Sequence, residues 1–432
     1  MIRTVYDKLL DWKVSPRRKP LILEGVRQCG KTHILKKFGN ENYSSTVYLN
    51  FEETPALASL FERDLDPKRI ISELKMIFSK DINEDTLLIF DEIQCCGKAL
   101  TSLKYFQEKV PQYSVVCAGS LLGLLHSTST SFPVGKVEFL KMYPLSFSEF
   151  MIASGRRDIH EYLSTISDIN AIPESTMNIL DDLYREYCFV GGMPEAVLSW
   201  LEFRDPEKTR KVQSDLIRLY QSDFAKYAPK NDVKKLQSIW SSVPEQLSKE
   251  NKKFIFGHAV KGGRARDLED SLQWLIDAGI VVRVKLVSVP MVPLSAYGKS
   301  SYFKIYSSDI GLLGAMADMK YSSLISDDTR YKEFKGAVTE NYVLNELINT
   351  VGSTPYYWRS EGKAEIDFIQ MINDTIVPIE VKSGAYGRLR SMELYMDLYK
   401  PEKAAVISKE RTRSDSIISI PLALVWKIQD LI

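Results

Sequence analysis

One stretch of this 432-residue chain narrows the choice of fold more than any other. It reads Gly25-Val26-Arg27-Gln28-Cys29-Gly30-Lys31-Thr32, the pattern G-x-x-x-x-G-K-T. Glycines at both ends let the backbone curl so that successive N–H groups point inward, a cradle for phosphate oxygens. Lys31 is placed to reach the outer phosphates, and Thr32 to offer its hydroxyl to Mg²⁺. The apolar run Leu21-Ile22-Leu23 precedes the loop as a buried parallel strand would. Residues 33–38 can open a helix whose N-terminal dipole adds to the anion site. The expected ligand is ATP with Mg²⁺, held by Gly25, Val26, Arg27, Gln28, Cys29, Gly30, Lys31 and Thr32.

The length predicts two to four domains. Apolar residues at 44% and charged residues at 26% fit a soluble chain, and a net charge of +1 leaves any nucleic-acid surface to a local patch. The longest apolar tract, 115–125, is too short to span a bilayer, and no membrane partner is expected. Five cysteines (29, 95, 96, 117 and 188) without framework spacing suggest a reducing, cytoplasmic setting. Adjacent Cys95-Cys96 and four scattered histidines argue against a structural zinc site.

Strand-like runs at 21–24, 46–51, 86–90, 114–118 and 137–140 leave room for crossover helices, so the chain reads as α/β with a parallel sheet covered on both faces. The third run ends in Asp91-Glu92. Asp91 is the expected holder of the Mg²⁺ shell, and Glu92 the general base that polarises the attacking water. The fourth run ends at Gly119-Ser120 and is expected between the two signature strands. Ser120 there reads either as a sensor of the γ-phosphate or as a turn serine.

These motifs, with Tyr143-Pro144-Leu145-Ser146-Phe147-Ser148-Glu149-Phe150 and Gly191-Gly192-Met193-Pro194-Glu195-Ala196, resemble a bacterial and archaeal family of AAA-like P-loop ATPases with a C-terminal domain of unknown function. The similarity runs on to the motif at Glu380. The resemblance implies an ATPase core at 1–145 and a helical lid at 146–222, with the Gly191-Gly192 turn close to the adenine. A rigid turn with no such role is the other reading. Many members carry Gly-Arg where this chain has Gly135-Lys136. Lys lacks the bidentate fork of Arg, so an arginine finger and the oligomeric state stay open.

Residues 223–315 read as helices followed by a hairpin (280–287 and 302–306), the order of a winged helix. Lys249, Lys252, Lys253, Lys261, Arg264 and Arg266 precede or open the helix at 266–278, as DNA phosphate contacts or as a solvated charged face.

Residues 325–432 switch to helix, strand, strand, helix, strand. Alternation puts Glu380 and Lys382 on one face, and the neighbouring strand brings Asp367. Asp367 and Glu380 are candidate Mg²⁺ ligands, Lys382 a catalytic group beside the attacking water, and Glu340 an outer acid. The triplet E-x-K also starts at Glu73, Glu250, Glu333 and Glu361, so only context lifts Glu380. That context resembles the PD-(D/E)XK nuclease superfamily and implies a restriction-endonuclease-like domain. The expectation is an ATPase coupled to a DNA-binding, DNA-cleaving C-terminal region. The alternative is an ATP-dependent switch whose nuclease-like domain binds a DNA or protein partner without cutting.

Overall fold

The computed structural model describes residues 1–120, 133–249, 251–325, 332–362, 364–384, 389–410 and 416–432. Part of the apolar tract at 115–125 lies outside them. The chain divides into two units, one of Ile2–Tyr143 with Asp277–Gly279, the other of Met1, Pro144–Ile276 and Ile280–Ile432. No helix among the described residues is long and apolar enough to cross a membrane.

The first unit is built on a five-stranded sheet of β1 (Leu21–Glu24), β2 (Ser45–Asn50), β3 (Thr86–Asp91), β4 (Ser114–Gly119) and β5 (Glu138–Lys141). Every pairing is parallel and the order is β2-β3-β4-β1-β5. Strands β3 and β4 are buried along their whole length. That explains why they read as unbroken apolar runs rather than alternating ones. On one side of the sheet Val47, Leu49, Leu88 and Phe90 pack against Ile70, Leu74, Leu103 and Phe106. Parallel strands all end on the same side, so the acids after β3, the loop after β1 and the serine after β4 gather at one sheet edge.

The second unit holds a seven-stranded mixed sheet. Its strands are β6 (Val281–Val287), β7 (Gly298–Ser307), β8 (Tyr356–Arg359), β9 (Glu365–Ile372), β10 (Thr375–Val381), β11 (Ala404–Ser408) and β12 (Ile417–Pro421), in the order β12-β11-β10-β9-β8-β6-β7. β6 and β7 form the expected antiparallel hairpin. It is not a free-standing wing, however. β6 pairs in parallel with β8, Leu286 opposite Tyr357, and the hairpin becomes the end of the larger sheet. The sequence argument saw only neighbouring segments, and this pairing crosses about 70 residues of chain.

The helix Lys332–Val351 is pinned to β7 by Asn341. Its side chain accepts from the Ser307 N–H and donates to the Ser307 carbonyl, both at 2.8 Å. The helix Arg390–Tyr399 packs Met392 and Tyr395 against Trp358, Ile366 and Val406. Residues 146–222 are helical as expected: Phe147–Ala153, Arg157–Thr165, Glu174–Val190, Pro194–Phe203 and the start of Pro206–Tyr227. The first of these is fixed by a capping box between Ser146 and Glu149.

Candidate functional sites

The loop after β1 closes onto the helix Lys31–Asn42, with Gly30 at φ +100° as its N-cap and no capping side chain. Gly25 allows a close approach that no other residue would. A Cβ there would lie 2.2 Å from the Met142 carbonyl oxygen. Lys31 Nζ donates to the carbonyls of Gly25 (2.7 Å) and Val26 (3.0 Å), which folds its ammonium back over the loop. Thr32 Oγ1 donates to Asp91 Oδ2 at 2.7 Å. The first residue of the expected Mg²⁺ pair thus meets the second across the sheet edge. The register Glu24↔Gly119 sets Ser120, which is buried, level with Gly25.

Glu92 stands at φ +50° at the carboxyl end of β3. Burial raises its carboxyl above the usual range, and the neighbouring Asp91 charge adds to this, while a hydrogen bond from the Gln94 side-chain amide acts the other way. Arg27 lies 3.5 Å from Glu52. Lys136, at the position where an arginine finger was in doubt, ion-pairs with Glu108 of the same unit at 3.0 Å.

Sequence reasoning missed three side chains here. Tyr48 donates to Asp91 Oδ2 at 2.7 Å, so this one oxygen accepts two hydroxyl hydrogen bonds. Arg3, buried near the N-terminus, donates to the Cys29 carbonyl at 3.0 Å and to the Tyr143 carbonyl at 2.5 Å, bracing the loop from behind. Gln94 holds the Glu92 carboxylate. The usable signal was the alternation of Tyr48 and Asn50, two polar residues on one face of β2. Nothing local flags Arg3.

The hard-oxygen pair Thr32 and Asp91 fits Mg²⁺, since both present oxygen within 2.7 Å of each other at the mouth of the loop. All five cysteines are free.

In the second unit, Asp367 and Glu380 face one another across β9 and β10, one step beyond the Phe368↔Ile379 pair. Asp367 Oδ2 accepts from the Val381 N–H at 2.8 Å. Glu380 Oε1 accepts from Lys382 Nζ at 2.6 Å, and its Oε2 is buried with no hydrogen-bond partner among the described residues. Glu340 is 3% exposed and accepts from Lys252, from the Tyr306 hydroxyl and from Lys304 Nζ, the last at 3.2 Å. Lys304, 1% exposed, also ion-pairs with Glu365 at 2.7 Å.

The electrostatics follow from these contacts. Burial would raise the Glu340 carboxyl, but the Lys252 and Lys304 charges win and hold it below the usual range. Burial raises Asp367, and the charges of Glu340 and Glu380 raise it further. Among the described residues no group of three or more His, Cys, Asp or Glu side chains is arranged to hold a metal ion. Lys382 pairs with Glu380 as its expected place beside that carboxylate requires, while Lys252 and Lys304 pair with the neighbouring Glu340 and so compete with a metal for that part of the cluster.

The six basic residues expected to face DNA are divided. Lys252 is spent on Glu340, Lys249 pairs with Glu245 at 2.8 Å, and Lys253 lies 3.7 Å from the centre of the Tyr302 ring. Lys261, Arg264 and Arg266 are exposed, with Arg266 3.5 Å from Asp267. The Gly191-Gly192 turn is a buried knot. The Gly192 N–H donates to Asp309 Oδ2 at 2.6 Å, and its carbonyl accepts from the Leu145 N–H at 2.7 Å.

Residues 17–151 match the family described as an AAA domain. This part of the chain is similar to P-loop ATPase domains. Residues 181–323 and 335–425 match two families described as domains of unknown function, DUF8612 and DUF4143. An uncharacterized protein of Haemophilus influenzae is 25% identical over 230 residues, which is 50% of this chain. The match spans about half of that relative, 49% of its length. Among solved structures, the Walker-type ATPase PABY2304 of Pyrococcus abyssi aligns at 15% identity over 73% of this chain and 95% of its own, with a TM-score of 0.47. The Aeropyrum pernix ORC1 protein, solved in complex with DNA, aligns at 13% identity over 74% of this chain and 92% of its own, with a TM-score of 0.30.

Proposed function

We propose that this chain is an ATP-binding, Mg²⁺-dependent ATPase whose second unit engages a partner without cutting it. The observation that carries the first half is the 2.7 Å hydrogen bond between Thr32 and Asp91 at the end of the P-loop. The loop N–H groups and Lys31 hold the phosphates, with Lys31 exchanging the carbonyls of Gly25 and Val26 for phosphate oxygens. Thr32 and Asp91 would hold Mg²⁺, which when bound supplies positive charge to the phosphate oxygens. Glu92 takes the proton of the attacking water. It must be ionised to do so, and its raised carboxyl moves the acid limb of turnover upward in pH. Lys136 pairs with Glu108 and lacks the bidentate fork of Arg, so it does not itself serve as an arginine finger.

The second half rests on the lysine-filled surroundings of Glu340, which favour a binding module over a nuclease. DNA is the candidate partner on the strength of exposed Lys261, Arg264 and Arg266. Their three phosphate contacts would give a log–log salt slope of about −2.7 on duplex DNA.

The test of the ATPase half is thermal. Mg²⁺-ATP at about 100 times its Kd should stabilise the native chain by about 2.7 kcal/mol. Lys31→Ala should lose that gain and keep the apo melting temperature. A wild-type melt that ignores saturating Mg²⁺-ATP removes the proposal.

A further inference from the structure

We infer that Lys304 and Lys252 take the place of a divalent cation in the carboxylate cluster of the seven-stranded sheet, so that this face is held closed by the chain's own ammonium groups. The inference deepens the binding-module reading above and is independent of the ATPase reading.

The carboxylates of this cluster are met by ammonium groups of the chain itself. Glu340, Glu365, Asp367 and Glu380 converge from the helix Lys332–Val351 and from β9 and β10. Such a gathering repels itself unless positive charge enters it. Here three ammonium groups enter. Lys304 bridges two carboxylates, at 3.2 Å from Glu340 and 2.7 Å from Glu365. Lys252 reaches Glu340 from the segment that follows the helix Val243–Leu247, and Lys382 pairs with Glu380 at 2.6 Å. Tyr306 fills a further acceptor position on Glu340.

A divalent ion taking Glu340 or Glu365 as a ligand would have to displace a lysine that is 1% exposed. The displaced ammonium would be buried without its carboxylates, the costliest outcome for a charge. Among the described residues of this cluster, Glu380 Oε2 is a buried oxygen with no hydrogen-bond partner.

The test uses the full chain carrying Thr32→Ala, which disables the other metal pair, with Mn²⁺ as the probe. Calorimetric titration should give no Mn²⁺ binding that Glu380→Gln removes. Lys252→Met, at a half-buried position, should lower the melting temperature, and Mn²⁺ should restore part of it at concentrations that leave the parent's melting temperature unchanged. Adding Glu380→Gln to Lys252→Met should abolish the restoration. Lys304→Met should do the same more strongly. Should it fail to fold, the Lys252→Met series still decides the matter.

Two results overturn the inference. One is Mn²⁺ binding by the parent that is lost with Glu380→Gln. The other is a Lys252→Met chain as stable as its parent and equally blind to Mn²⁺. Failure here leaves the response to Mg²⁺-ATP untouched, so the two readings can be told apart.

Discussion

Glu346→Gln should make this protein more stable, and more so as the pH rises. Glu346 is fully buried on the helix Lys332–Val351. Its Oε1 accepts from the Phe147 N–H at 2.8 Å, and its Oε2 is buried with no hydrogen-bond partner among the described residues. Burial pushes the carboxyl up to about 8 from 4.5, with the Phe147 hydrogen bond acting against and the nearby Glu149 charge adding to the rise. Between those two pH values the native state keeps a proton that the unfolded chain has released. The native state therefore binds more protons, and stability falls as pH rises from 4.5 through about 8. A rise of about 3.5 pH units at about 1.4 kcal/mol each amounts to about 5 kcal/mol lost by pH 8, and about 3 kcal/mol by pH 7.

Glutamine is the neutral shape of the same side chain. It keeps the acceptor for Phe147 and has no proton to lose. At pH 5 the two proteins should be nearly equal, because protonated Glu and Gln each leave one buried group unpaired. At pH 8 the variant should lead by a few kcal/mol. Other raised carboxyls, Asp309 at about 6 and Asp367, tilt both curves alike and cancel in the difference. Urea unfolding of both proteins from pH 5 to 8.5 reads the difference directly. A gap that does not change with pH, or a wild type that leads at pH 8, refutes the argument.

Two shorter tests bear on the named motifs. Glu92→Gln should keep the Mg²⁺-ATP stabilisation and slow turnover by about 10²–10⁴, as expected for loss of a general base; equal turnover would free Glu92 of that role. Gly192→Ala would place a Cβ 2.2 Å from the Leu145 carbonyl oxygen and should cost about 3 kcal/mol or more, whereas Gly155→Ala, with nothing within 4 Å, should cost about 1–2 kcal/mol from its positive φ alone. Urea midpoints of the two glycine variants give the comparison.

What could be read from the sequence was what a single stretch carries. The phosphate loop, the strand before it and the helix after it lie within about 20 residues, so their geometry is written locally. Asp91 and Glu92 were legible for the same reason, four apolar residues and then two acids. The hairpin at β6 and β7 was visible, but its membership of the larger sheet was not. β6 shows mixed burial (Val281, Val284 and Val287 inside), with Val281 and Val284 on opposite faces, and this is silent on which strand lies alongside. Lys304 was hidden by its strand. β7 is buried on both faces from Phe303 to Ser307, and a lysine in such a run signals a buried ion pair only once its partner is known. That partner, Glu340, lies 36 residues on, and Lys252 reaches it from 88 residues before.

The two carboxylate sites differ in the kind of partner that holds them, and that difference sets what each can admit. Asp91 is held by neutral hydroxyls, Thr32 and Tyr48, and by the Glu92 backbone N–H at 3.0 Å. A cation arriving there keeps the full negative charge of Asp91 to bind. It can take the Thr32 oxygen as a ligand while Tyr48 and the backbone go on fixing the carboxylate. Glu340 is held instead by two ammonium groups and a phenol. Its charge is already cancelled, and a cation arriving there gains nothing until a buried lysine leaves. One carboxylate is preorganised for a visitor and the other is satisfied at home, although both are buried acids. Counting acidic residues in a motif therefore cannot tell a metal site from a closed one. The charge of the hydrogen-bond donors around them can.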